Sequence, residues 1–269
     1  MSRLQSLLEP VIAIATTAGT KILEIYENGQ FEELTKSDNT PVTSADLAAH
    51  QYIIHALAAL APEIPILSEE DADIPFAQRR NWQRYWLIDP LDGTQEFIAG
   101  SGDFAVNIAL IEEGVPIMGV IYAPVSKVCY FATRGHGAFK RVNDHTVAIH
   151  SRSVAADENL KIAVSRRQRR ESILARLNDH WNYDLVPFGS ASLKSCMVAE
   201  GEADCYLRLG PTGEWDTGAS QCVVAEAGGV IVDTLYQPLS YNERESLENP
   251  NYMVLGSQQL PWRDILPPA

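Results

Sequence analysis

Asp89-Pro90-Leu91-Asp92-Gly93-Thr94 places two carboxylates, a glycine and a hydroxyl within six residues, directly after the apolar run Tyr85-Trp86-Leu87-Ile88. A strand reading puts Asp89 at its exit. Pro90 would stiffen that exit, and Gly93 would let the backbone curl so that its amides face an anion. Asp89 and Asp92 can then bind hard cations beside Thr94. A plain surface turn explains the stretch equally well, because Asp-Gly is a common turn dipeptide.

Other acids in the chain bear on that choice. Pro65-Ile66-Leu67 reads as a short buried strand running into Ser68-Glu69-Glu70-Asp71. Three adjacent acids suit a solvated loop, but where they are partly buried a cation is the usual reason their repulsion is tolerated. Thr43 and Asp46 have the spacing of a capping box before Leu47, Ile54, Leu57 and Leu60. Asp46 therefore either only caps a helix or also holds a hydroxyl or water there. Asp216 lies where a loop with Gly210, Pro211 and Gly213 enters a helix rich in small residues such as Gly218 and Ala219, which let it approach another element closely. It can be a cap, or a carboxylate beside a helix N-terminus suited to phosphate. Taken together, Glu69, Asp89, Asp92 and Asp216 form an all-oxygen set without cysteine or histidine, which selects magnesium or manganese over zinc. Such ions activate water and neutralise phosphate oxygens.

The elements that must position these groups follow from periodicity. Leu4, Leu7, Leu8, Val11, Ala15, Ala18, Ile22, Ile25 and Tyr26 recur at helical spacing up to Asn28-Gly29. Between Phe104 and Phe139 three β-runs joined by short turns predict an antiparallel meander. The more polar stretch 140–158 is expected to carry the chain over to a second unit. There Ile162–Ser165, Ala191–Glu200, Ala203–Leu209 and Ala219–Ala227 suggest alternating strand and helix. Residues 1–150 are thus expected to form an α+β subdomain with most of the acids, and 151–269 an α/β subdomain with Asp216.

With 269 residues, 46% of them hydrophobic, the chain can bury a large core. Its formal charge of −14 argues against a nucleic-acid polymer as partner and against simple attachment to anionic membranes, while a small anion remains possible if cations neutralise the site. Cys129, Cys196, Cys205 and Cys222 show no C-x-x-C pairing and read as buried reduced thiols of a cytoplasmic protein. No signal peptide or transmembrane segment is expected, and peripheral placement at the inner membrane surface stays open.

As a set, Ser68-Glu69-Glu70, Asp89 through Thr94, Trp215-Asp216 and Ala225-Glu226-Ala227-Gly228-Gly229 resemble the lithium-sensitive, magnesium-dependent phosphatases that include inositol monophosphatase and fructose-1,6-bisphosphatase. Within that superfamily the chain is most similar to the CysQ-type 3′(2′),5′-bisphosphate nucleotidases of sulfur metabolism. The likeness is carried by Lys36 through Thr43, Pro65 through Asp71, Asp89 through Phe97, Val106 through Ile111, Tyr122 through Val125, and Gly210-Pro211-Thr212.

The resemblance implies an αβαβα sandwich with two or three magnesium ions, or manganese in their place. Glu69, Asp89 and the Leu91 carbonyl would hold one ion and Asp89, Asp92 and Asp216 another. It also implies that Thr94, bonded to Asp46, orients the attacking water with Glu70 nearby, while Gly93 and Thr94 amides take phosphate oxygens. Ser165, Gly189, Ser190 and Lys194 match positions that contact the nucleotide. The implied substrate is adenosine 3′,5′-bisphosphate, a small phosphate ester, giving AMP. An inositol or sugar-phosphate phosphatase is the enzymatic alternative, and a non-catalytic metal- or nucleotide-binding protein the alternative of another class. Two departures stand out: Gln95 where such proteins usually carry lysine, and Gly218 where alanine is commoner. Arg166-Arg167-Gln168-Arg169-Arg170 would either receive a second phosphate or form the exposed start of a helix; Lys194 could likewise be simply a solvated helix residue.

Overall fold

A computed structural model describes residues 3–35, 41–155 and 158–268. The motif residues 36–40 lie outside the described residues. In chain order the elements are α1 (Arg3–Asn28), β1 (Glu33–Thr35), β2 (Pro41–Thr43), α2 (Ser44–Leu60), β3 (Ile66–Ser68), α3 (Phe76–Arg79), β4 (Arg84–Asp92) and α4 (Thr94–Ile98). A meander follows: β5 (Ala105–Glu112), β6 (Val115–Ala123), β7 (Val128–Thr133), β8 (Ala138–Val142) and β9 (His145–Ile149). The chain continues through β10 (Leu160–Ser165), α5 (Arg170–Leu174), β11 (Tyr183–Phe188), α6 (Ala191–Ala199), β12 (Cys205–Arg208), α7 (Glu214–Glu226), β13 (Val230–Asp233), β14 (Tyr252–Leu255) and α8 (Trp262–Ile265).

Apart from the two-stranded β1-β2 pair, two large sheets and three helical layers stack as α/β/α/β/α. The first sheet has the order β3-β4-β5-β6-β7-β8-β9, parallel only between β3 and β4. Alternation along β4 shows how it divides two cores. Trp86 and Ile88 face α1 and α2, whose Val11, Ala15, Ile22, Ile53 and Leu57 are fully buried. Tyr85 and Leu87 face the opposite way, onto α6, α7 and the second sheet, β11-β10-β12-β14-β13. A third core covers that sheet's far side with Ile173, Leu177, Trp262 and Ile265. The αβαβα sandwich implied by the resemblance is thus present.

α1 is long and apolar enough over Leu4–Asn28 to cross a membrane by length and composition alone. Its buried stripe instead packs on α2 and the meander, as expected of a core helix. All four cysteines are free and buried.

Three expectations need correction. Residues 138–149 do not leave the first sheet; they add the hairpin β8–β9 to its edge. β4 does not stop at Asp89 but runs to Asp92, with its register against β5 shifting between those residues. α7 begins at Glu214 rather than near Ala219, while Asp216 lies in its first turn, at the helix N-terminus as expected.

Candidate active site

β4 delivers Asp89 and Asp92 from the first sheet, and α7 brings Asp216 from the second half of the chain. Carboxylate oxygens of the three lie within 4.8 Å of one another. Asp89 is 1% exposed and Asp92 5%. The bulge between them lets both acids serve one site, since strict strand alternation would put Asp89 and Asp92 on opposite faces. Glu69, just beyond β3, hydrogen-bonds the Asp89 side chain, and Asp89 Oδ1 accepts the Leu91 amide at 3.0 Å. Burial first, then the charges of Glu69, Asp92 and Asp216, push the Asp89 carboxyl well above its ordinary range. Burial likewise raises Asp216, aided by Asp92 and Glu69. Acids packed this closely repel, and a divalent cation is the charge that relieves them. The all-carboxylate donor set, with the Leu91 carbonyl beside it, fits a hard divalent cation.

Asp46 fulfils both of its readings. Its Oδ2 accepts the Thr43 amide at 2.8 Å and the Thr43 hydroxyl at 2.6 Å, closing the capping box of α2. Its Oδ1 accepts the Thr94 hydroxyl at 2.9 Å. Burial raises its proton affinity despite those donors. Gly93 enters α4 at φ +102°, where a Cβ would press on the Asp103 carbonyl at 3.1 Å. Asp216 also doubles as a cap, with Oδ2 accepting the Gly213 amide at 2.7 Å.

These groups open into a cavity of about 580 Å³ whose walls include Glu69, Asp89, Leu91, Asp92, Gly93, Thr94 and Asp216. Glu70 is half-buried next to Glu69 and is not among the wall residues. Ser165, Gly189, Ser190 and Lys194 are not among them either. Ser190 instead donates to Asp92 Oδ2 at 2.5 Å, and the Ser192 amide and hydroxyl reach the same oxygen at 2.7 and 2.6 Å. The start of α6 therefore clamps Asp92. The Gly189 amide donates to Asp103 at 3.0 Å, and the Ser165 hydroxyl accepts the Arg167 amide at 3.2 Å. Lys194 is 2% exposed, so it is not a solvated helix residue. Its ammonium donates to the Ser190 carbonyl and lies 4.9 Å from the Tyr206 ring centre, and burial lowers its pKa to about 8.

The basic cluster also resolves. α5 starts only at Arg170, while Arg166 pairs with Asp103 and Arg167 with Glu96 at 3.1 Å. Arg167 also donates to the Gln95 carbonyl at 2.9 Å, so a guanidinium stands beside that position.

Sequence reasoning missed Arg208 and Arg79. Arg208, at the end of β12, lines the cavity and its buried Nε has no partner. A single arginine closing the apolar run Cys205–Leu207 was the available signal. Arg79, 2% exposed, donates to the Ile74, Arg244 and Glu245 carbonyls and to Asn242, tying two cavity walls together.

The chain belongs to the inositol monophosphatase family, whose profile matches residues 3–259. Among relatives it is 46% identical over 259 residues to the 3′(2′),5′-bisphosphate nucleotidase CysQ of Aggregatibacter actinomycetemcomitans, covering 96% of each chain. It is 43% identical over 249 residues to the Escherichia coli K12 protein of that name, covering 92% of this chain and 99% of the relative. The crystal structure of CysQ from Bacteroides thetaiotaomicron superposes with a TM-score of 0.81 at 37% identity, covering 95% of this chain and 99% of that one.

Proposed function

We propose that this chain is a magnesium-dependent phosphatase that removes the 3′-phosphate of adenosine 3′,5′-bisphosphate, giving AMP and phosphate. The observation that carries the metal part is the cluster of Asp89, Asp92 and Asp216, the first two of them buried, with Glu69 bonded to its central member. The substrate part rests on relatives named 3′(2′),5′-bisphosphate nucleotidase at 46% and 43% identity over nearly the whole chain.

In this reading Glu69, Asp89 and the Leu91 carbonyl hold one magnesium and Asp89, Asp92 and Asp216 hold another, with manganese able to substitute and a third ion possible. Bound there, the cations would polarise the attacking water and neutralise phosphate oxygens. Thr94, fixed by Asp46, orients that water through its hydroxyl. Arg208 lines the same cavity, and its guanidinium would suit a phosphate oxygen there. Ser165, Gly189, Ser190 and Lys194 stand at the ends of β10 and β11 and on α6, outside the cavity wall; Ser190 and Gly189 would act on a bound nucleotide only through Asp92 and Asp103, which they hold. Glu70 would assist the water from beside Glu69. A cytoplasmic location and inhibition by lithium belong to this reading, the former resting on four buried free thiols.

A substrate panel tests it: adenosine 3′,5′-bisphosphate, its sulfated form, inositol phosphate and fructose bisphosphate, each with magnesium and with lithium added. Preference for the adenosine compounds is expected, and preference for either of the last two would overturn the substrate assignment. Asp89→Asn should abolish turnover; more than about a tenth of activity remaining, on the order of 1.4 kcal/mol in the barrier, would remove Asp89 from the metal site.

A further inference from the structure

Asn107 occupies the middle of β5 directly across the ladder from Asp89. Cross-strand partners send their side chains to the same face with Cβ atoms about 5 Å apart. That face carries Tyr85, Leu87, Ala105, Ala109 and Ile121 into the core between the sheets, and Asn107 among them is 1% exposed. Neither Oδ1 nor Nδ2 has a hydrogen-bond partner.

A buried amide left unpaired destabilises a fold, and an apolar side chain of similar shape in its place would be neutral or stabilising. Packing therefore gives no reason for asparagine here. Its flanking partners on that face, Ala105 and Ala109, are small, and on β6 its partner is Ile121. The polar group closest along the ladder is the carboxylate at the centre of the candidate metal cluster. Carboxylates that hold cations are commonly fixed by a hydrogen bond from behind.

We propose that Asn107 is a positioning residue whose Nδ2 donates to the Asp89 carboxylate in the cation-loaded site and fixes the orientation in which Asp89 bridges. The inference rests on the metal-site reading above. It predicts an unusual pairing of effects: removing the amide helps the fold and harms the site.

The test uses the full chain with Asn107→Leu and Asn107→Ala. Melting temperature is read in chelator, manganese affinity by titration calorimetry, and the magnesium concentration for half-maximal turnover by assay. Asn107→Leu should melt at or a few degrees above the parent in chelator, yet bind manganese about tenfold more weakly and need about tenfold more magnesium. At saturating magnesium the substrate KM should stay within about twofold. Asn107→Ala, which keeps a small side chain should leucine be too bulky to fold, should show the same loss of manganese affinity. If either folded variant binds manganese within twofold of the parent, the inference falls. If the parent itself binds no manganese, the metal-site reading falls with it, which separates the two failures.

Discussion

Lys194 shows how a single side chain can be legible in type and illegible in state. Its helix spacing was readable, but burial between α6 and Tyr206 was not, because nothing local in Ala191–Ala199 announces a second sheet beneath it. Asp46 and Asp216 were legible because capping spacing is local; that Asp46 also meets Thr94, and Asp216 also nears Asp89, depends on contacts that only folding makes. Lys194 leads to a pH prediction. Burial lowers its folded pKa from 10.5 to about 8. Below pH 8 both states carry the proton and the burial penalty is fully present; between 8 and 10.5 the unfolded chain binds more protons, so stability rises with pH. From pH 7.5 to 9.5 this contribution amounts to about 2 kcal/mol. Relative to Lys194→Met, the parent should therefore gain about that much in denaturant unfolding across this window. A difference that stays flat with pH would mean that Lys194 is solvated after all.

At the scale of elements, α7 determines whether the site assembles. It lies across the first sheet so closely that a Cβ on Gly119 of β6 would stand 2.2 Å from the Ala219 carbonyl oxygen. A Cβ on Gly218 would meet side-chain atoms instead: Leu87 at 2.8 Å, which can rotate, and the Ala109 Cβ at 3.3 Å, which must give slightly. Gly119→Ala should accordingly push α7 outward, costing about 1–3 kcal/mol in unfolding experiments and weakening cation binding through Asp216. Gly218→Ala should cost clearly less than Gly119→Ala, since no backbone atom stands in the way and the helix gains up to about 1 kcal/mol against the repacking of Leu87. Equal effects of the two substitutions would contradict this account of how α7 is seated. The small residues of α7 announced such an approach in the sequence, whereas the β8–β9 hairpin was hidden. Its strands lie at a sheet edge and carry Lys140 and Arg141, whose charges are matched by Glu200 and Glu9 from distant segments. Edge strands with one solvated face lack the apolar density that marks β5 and β6.

The whole molecule joins two sheets through one shared core, and the acidic cluster sits on that joint. Tyr85, Leu87 and Ala109 of the first sheet belong to the same buried cluster as Tyr206, Tyr252 and Val254 of the second. Asp92 comes from the first half but is held by Ser190 and Ser192 of the second, and the Arg166–Asp103 and Arg167–Glu96 pairs cross the same boundary. The expected division near residue 150 therefore separates two sheets that cannot expose their facing surfaces independently without opening this core. Cations bound by Asp89, Asp92 and Asp216 would tighten the joint, because a ligand that binds only the folded state stabilises it in proportion to its excess over Kd. At manganese about 100-fold above Kd the gain is about 2.7 kcal/mol, or a rise of roughly 5–10 °C in melting temperature. Calorimetry should show one transition that moves upward as a unit and returns with chelator, and Asp216→Asn should lose most of the shift. Two resolved transitions, with only one responding to manganese, would show instead that the halves unfold separately and that the cluster belongs to one of them.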